Sequence, residues 1–343
     1  MKKLRTGAAY HGCRMLHHVE HDMRDMAANH MNTVVHMMTH NDWERHYGVM
    51  QQIVGMSKAA GLEVWMDNWG LGGPPGEISH FLAFHPEAHQ IYSDGEMDRT
   101  RVCMNAPSFR SFMHEWIDAV AGTGAETIFW DEPHLPIRPD GTYSCACPLC
   151  RKNFEEKYGR PMPVTADDDV TEFRLSTVAD FFTDLCGYAA AKGLKKAVCV
   201  MLGEEHGIHL GTLESICSIP TLDNIGSDPY WLRKSPNAYE FVYNGTKRNL
   251  EVADKFGKDH NIWIQAFATP RGREEEIVQA TEAAYEAGAR TILAWSYYGG
   301  ISNDYGAENP YLVQEKIKQA FARIWDMERD RILAENRKLV GLK

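Results

Sequence analysis

Cys145-x-Cys147-x-x-Cys150 sets three thiols within six residues, close enough for one short stretch of chain to hand them all to a single metal ion. Zinc takes four such donors in a tetrahedron, so a fourth must come from elsewhere. Cys103 is the first choice and His134 the reserve. A closed four-sulfur site is structural: it pins two stretches of chain together and leaves no position for substrate. Buried cysteines also occur simply as small apolar residues, but three of them beside Pro148 and a helix start favour a metal. A second constellation lies just upstream. Asp131-Glu132 ends an apolar run and is followed by Pro133, a setting for paired acid and base chemistry at the tip of a strand.

Short apolar runs alternate with longer helical patterns along the whole chain. The strand candidates are Thr6–Tyr10, Thr33–Thr39, Leu62–Trp69, Thr127–Asp131, Lys196–Leu202, Asn224–Asp228, Asn261–Phe267 and Thr291–Tyr297. Between them, apolar residues recur at helical spacing, as in Trp43, Tyr47, Met50 and Val54, or Val313, Ile317, Ala320 and Ile324. Gly61, Gly124, Gly193, Gly257 and Gly288 each stand where a helix should end, in the left-handed position that a side chain penalises. Unbroken βα alternation predicts a parallel sheet, and eight units predict closure into a (β/α)8 TIM barrel. A doubly wound open sheet is the rival, but no Gly-x-Gly-x-x-Gly follows the first strand. The expectation is one barrel domain over residues 1–343. Its long βα loops after strands three and four carry insertions at about 70–106 and 133–195. A charged helical tail runs from about 326 to 343, as a solvated cap or a contact between copies.

A barrel gathers its site from the C-terminal ends of its strands. By strand order these offer His11; His40; Asp67 and Trp69; Asp131, Glu132 and His134; Glu205; Asp228, Tyr230 and Trp231; Gln265; and Trp295 with Tyr297. Any single acid in such a set can equally be a loop cap or an ion-pair partner, and any single aromatic can be core. Their concentration at strand ends lifts the set above its members.

A wider pattern surrounds the cysteines. Arg101-x-Cys103-x-x-x-Pro107-x-x-Arg110 precedes Trp130-Asp131-Glu132, and Cys145-x-Cys147-x-x-Cys150-x-x-x-Phe154-x-x-x-Tyr158-Gly159 follows it. This resembles the glycoside hydrolase family 42 β-galactosidases over residues 101–159. The resemblance implies a zinc site at Cys103, Cys145, Cys147 and Cys150, and a general acid/base at Glu132, with Asp131 standing where that family has Asn. The same family carries a nucleophilic Glu at the end of its seventh strand, where this chain has Gln265, so β-galactosidase activity does not carry over. What carries over is a barrel, a structural zinc and a carbohydrate-shaped site.

Two catalytic arrangements follow for a glycosidase acting on a small oligosaccharide or glycoside. Glu132 serves as acid/base with Asp228 or Glu205 as the second carboxyl; or, in the arrangement that resembles the retaining α-glycosidases with Asp on strands four and six, Asp131 is the nucleophile and Asp228 the acid/base. His11, His40, Asp67, Trp69, His134, Tyr230, Trp231, Gln265, Trp295 and Tyr297 are the expected substrate contacts. Two alternatives stand beside this. One is a metal-dependent sugar isomerase, epimerase or hydrolase using the strand-end histidines and acids; the other is a barrel that binds sugars without cleaving them. A net charge of −11 speaks against nucleic acid and anionic membranes as partners. No apolar stretch is long enough to span a bilayer, and the basic start Met1–Arg5 leads into no signal-like apolar region. The expectation is therefore a cytoplasmic protein with a carbohydrate substrate, zinc, no organic cofactor and room for association between copies.

Overall fold

The computed structural model describes residues 3–11, 13–69, 79–131, 135–200 and 210–339. Eight parallel strands close into a barrel: β1 (Arg5–Tyr10), β2 (Thr33–Met37), β3 (Glu63–Asp67), β6 (Thr127–Trp130), β7 (Lys195–Val200), β8 (Asn224–Ser227), β9 (Asp259–Gln265) and β10 (Thr291–Trp295). A short antiparallel hairpin, β4 (His89–Ile91) with β5 (Met97–Val102), stands apart from the barrel. The ring closes where β1 pairs with β10, Arg5 opposite Thr291 and Ala8 opposite Ala294. This is the TIM barrel that the alternation predicts, with most strands ending a residue or two earlier than the apolar runs do.

The outer layer is formed by α1 (Leu16–Ala28), α2 (His40–Ala59), α4 (Pro107–Thr123), α6 (Asp168–Ala191), α7 (Leu210–Cys217), α8 (Ala238–Lys255), α9 (Glu275–Glu286) and α10 (Pro310–Leu339). Two shorter helices, α3 (Phe81–Phe84) and α5 (Pro148–Tyr158), belong to the long loops. The five glycines expected at helix ends all have positive φ, from 65° at Gly257 to 115° at Gly288. On α10 the stripe Val313, Ile317, Ala320 and Ile324 is fully buried, as its spacing predicts. The same helix runs on to Leu339. Along it Glu328 is buried, accepting a hydrogen bond from Tyr285 and pairing with Arg331.

Alternating side chains divide the core in two. Ala9, Val35, Trp65, Phe129, Trp263 and Leu293 fill the barrel, while Ala8, Val34, Val64, Ile128, Ile262 and Ile292 face the helices. Among the described residues no helix is long and apolar enough to cross a membrane.

The space around two glycines predicts opposite effects of adding a methyl group. A Cβ on Gly7 would lie 2.0 Å from the Thr33 carbonyl oxygen, a backbone atom held in the sheet, so Gly7→Ala should destabilise the protein by about 3 kcal/mol. Gly55 lies exposed within α2 with nothing near its missing Cβ, so Gly55→Ala should stabilise by about 0.5–1 kcal/mol. Urea midpoints at constant slope check both.

Candidate functional site

Each inward row of the barrel can be followed one pleat beyond the filled interior. Ala9 leads to His11, Trp65 to Asp67, Phe129 to Asp131, Trp263 to Gln265 and Leu293 to Trp295. On β8, Ile225 belongs to the outer layer, which makes Gly226 and then Asp228 the inward positions. Six of the expected site residues therefore converge on one mouth: His11, Asp67, Asp131, Asp228, Gln265 and Trp295. Trp69, Tyr230 and Trp295 pack on top of the interior cluster and form its aromatic lid.

The His11 ring is held edge-on by two indoles, 4.7 Å from Trp69 and 5.0 Å from Trp295. Burial, with a smaller contribution from Arg14, lowers its pKa to about 4, so the ring is neutral at ordinary pH. Its Nε2 and the Trp69 Nε1 are both buried without a hydrogen-bond partner among the described residues. Polar atoms in that condition call for water or a ligand. Arg14 forms a two-pronged pair with Asp42, Nε to Oδ1 and Nη2 to Oδ2 both at 2.7 Å, and also donates to the Met37 carbonyl. Asp42 closes a capping box with Thr39 at the start of α2, so the wall of the mouth is locked to a helix end. His11, Arg14, Thr39, Asp42, Trp69 and Asn303 are among the residues around a 300 Å³ cavity. A second cavity, of 420 Å³, lies on the β8 side beside Asp228, Tyr230, Lys234, Asn244 and Arg248.

Asp131 is half-buried just past β6, and its backbone N–H donates to Asn68 Oδ1 at 3.2 Å. Asp67 and Asp228 are buried. The Gln265 amide oxygen accepts from the Leu232 backbone N–H at 3.2 Å, so this side chain holds the loop after β8 in place. Glu132, His134 and Glu205 lie outside the described residues.

Three other expected contacts are placed away from the mouth. Trp231 is fully buried under α9 and donates its indole N–H to Glu276 at 2.6 Å. Tyr297 lies between barrel and helices, its hydroxyl donating to Asp25 on α1 at 2.9 Å. In both cases the chain has left the strand and turned outward, ending the alternation that would aim them inward. His40 opens α2 and faces the long β3–β6 connection, where it meets Glu44 and His80.

The four cysteines come together as expected. Cys103 follows β5, while Cys145, Cys147 and Cys150 lead into α5, and all four sulfurs lie within 4.8 Å of one another in the buried core. Cys103 is 3.5 Å from Cys150 and 3.6 Å from Cys147. A disulfide needs about 2.05 Å, whereas sulfurs on a tetrahedral zinc are separated by about 3.8 Å, so the spacing fits a metal and not a bridge. Asn105 donates toward the Cys150 sulfur at 3.3 Å, the kind of outer hydrogen bond that steadies a thiolate ligand. Hydrogen bonds among the sulfurs push Cys147 far below an ordinary thiol and Cys103 and Cys150 above it. Among the described residues, the other group of ligating side chains this compact is His40, Glu44 and His80. Among the described residues, neither group contains His11, Asp67 or Asp228, while Glu132 and His134 lie outside the described residues.

No family model matches the chain, and no curated protein matches it in sequence. Solved structures match it in fold. The catalytic domain of a β-amylase from Paenibacillus polymyxa superposes with a TM-score of 0.64 at 11% identity, over 93% of this chain and 98% of that one. A glycoside hydrolase family 42 β-galactosidase gives 0.71 at 12% identity over 95% of this chain, which spans 57% of that protein's length. An endo-β-1,4-mannanase from Thermotoga petrophila gives 0.59 at 10% identity, over 94% and 77%. At such identities the likeness establishes the barrel.

The His11 environment has a consequence for stability. Unfolded, this ring takes up a proton below about pH 6.5; folded, it refuses one until about pH 4. The stabilisation is therefore complete above pH 6.5 and drains away as pH falls toward 4, by up to about 3 kcal/mol. Urea unfolding followed across that window should show the loss, and His11→Gln should flatten it; an unchanged slope in the variant would refute the assignment.

Proposed function

We propose that this barrel is a glycoside hydrolase acting on a small oligosaccharide or glycoside, with Asp131 and Asp228 as the carboxyl pair at its mouth. The observation that carries the reading is the convergence of acids and indoles on one face: Asp67, Asp131 and Asp228 in the inward rows, roofed by Trp69, Tyr230 and Trp295. Indole faces stack on the apolar C–H faces of a sugar, and its hydroxyls suit the two buried, unpartnered nitrogens of His11 and Trp69. The barrels it superposes on are described as a β-amylase, a β-galactosidase and a mannanase, which supports the same substrate class.

Glycosidic cleavage needs one carboxylic acid to protonate the leaving oxygen and one carboxylate to attack the anomeric carbon or activate water. Asp131 and Asp228 sit at the ends of β6 and β8, with β7 between them. Their backbones are thus about 10 Å apart, a span that two side chains reaching inward narrow to the range these reactions use. Glu132, beside Asp131, is the rival proton donor that the sequence resemblance favours. The neutral His11 and the Arg14–Asp42 pair contribute binding and shape. The cysteine cluster holds a structural zinc, which when bound supplies four metal–sulfur bonds between the two long loops and takes no part in bond cleavage.

Asp131→Asn and Asp228→Asn should each lower turnover of aryl glycosides by about 10²–10⁴-fold with little change in melting temperature. Glu132→Gln identifies the donor: the acid is the position whose loss is worst for poor leaving groups and mild for activated ones. No turnover of any glycoside by the intact protein, or full activity in both aspartate variants, would sink the proposal. Independently, Cys147→Ser should abolish stoichiometric zinc and cost more than about 4 kcal/mol of stability. Metal analysis and denaturant unfolding measure both.

A further inference from the structure

Outside the mouth, the described residues hold a compact set of ligating groups that the proposed reaction leaves unused. His40 and Glu44 are one turn apart on α2 and share a face, a spacing suited to two ligands of one ion. His80 comes from the long β3–β6 connection, directly before α3. The two imidazoles stack in parallel, centroids 3.8 Å apart and 9° from coplanar. Glu44 Oε1 is 3.4 Å from His40 Nε2 and 3.1 Å from His80 Nε2. Nitrogen and oxygen donors on a tetrahedral zinc, bonded at about 2.0–2.1 Å, are separated by about 3.3 Å, so both separations are of the size that ligands of one ion show, and rotation of one ring out of the stack would bring both lone pairs to it.

The outer contacts agree. His40 Nδ1 is 2.7 Å from Ser79 Oγ, which itself accepts the Phe81 backbone N–H at 3.2 Å. With Nδ1 donating to that hydroxyl, Nε2 is left as a lone-pair donor beside Glu44 Oε1, the arrangement by which a ligating histidine is usually oriented. Trp43 and Phe112 wall the His40 ring at 5.8 and 4.9 Å, so it is buried, whereas Glu44 and His80 reach it from the exposed side. Burial first, then the neighbouring His80, keep His40 in the neutral form that a metal needs, while the two histidines favour ionised Glu44.

We propose that His40, Glu44 and His80 form a second metal site, for a divalent ion of the zinc type, distinct from the four-cysteine cluster. Two imidazoles and one carboxylate leave a fourth position open, and it faces a 350 Å³ cavity that also carries His85 and Glu115. The ion ties the first turn of α2 to the chain that leads into α3, and its open position takes water or an oxygen of a small ligand.

Cobalt(II) added to the metal-free full-length protein reads the two sites separately. A sulfur site gives intense charge-transfer absorption in the near ultraviolet; a nitrogen–oxygen site gives visible ligand-field bands without it. The expected result is a second equivalent with ligand-field bands only. It should be lost in His80→Ala and Glu44→Gln, and weakened about tenfold in Ser79→Ala, which keeps all three ligands. The surface histidines of α1 supply the control, because His17 and His21 are also one turn apart. Survival of the bands in His17→Ala/His21→Ala supports the site. Absence of a second equivalent, or its loss in that control and not in His80→Ala, overturns it. Both α2–α3 variants change partly exposed side chains, so retained melting temperature and retained cysteine-site absorption show that a negative result is not unfolding.

Discussion

Everything at the mouth depends on strand parity, which closure of the barrel fixes. Because side chains alternate with a period of two, a slip of one residue anywhere in the ring would exchange the inward and outward sets. The register is locked from below. Arg5 pairs with Glu63 at 3.0 Å and with Asp259 at 3.3 Å, tying β1, β3 and β9 across the N-terminal end. Gly7 lets β1 approach Thr33 of β2, and Gly226 leaves the space that Asn261 occupies while donating to Asn224 at 2.6 Å. These contacts are far from the mouth, yet they determine that Asp67, Asp131 and Asp228, rather than their neighbours, look inward.

Above that frame, the two long connections behave as one structure. The hairpin β4–β5 delivers Cys103, and the segment before α5 delivers the other three cysteines. Buried polar contacts reinforce the junction. Arg174 of α6, its pKa pulled down to about 10 by burial, donates to the carbonyls of Ser144 and Leu135, and Gln90 donates to the Val102 carbonyl at 3.1 Å. A guanidinium buried that deeply is tolerated because backbone oxygens replace its water. Asp131 stands where the chain leaves β6 for the second of these connections, its backbone N–H held by Asn68.

The sequence made the barrel legible because its signals are local: β-branched and aromatic runs, helical stripes and five glycines at helix ends. The four cysteines were legible because three share one motif. What stayed hidden has a common physical cause. Trp231 and Tyr297 lie where a strand has ended, and a side chain's direction after that point is set by the turn and not by alternation. Their polar tips go to Glu276 and Asp25, partners 45 and 272 residues away. The same limit hid His80 from His40, since a helix shows its i, i+4 pair in the sequence but not the residue that a distant loop brings to it. The hairpin was missed because Met97–Val102 is largely polar and pairs outside the core.

Gln265 is the clearest point at which this mouth parts from the family it resembles. Its carbonyl oxygen is engaged by the Leu232 backbone, so the side chain works as a strut for the loop that follows Asp228. A glutamate there could accept the same hydrogen bond, but it would add a charge to a mouth that already draws Asp67, Asp131 and Asp228 together. In a buried, weakly polar setting, like charges raise one another's proton affinity, and each added carboxylate makes it harder to keep any of them ionised. The neutral amide relieves that repulsion while preserving the loop contact. Asp228, at the end of the sixth barrel strand, sits beside the larger cavity.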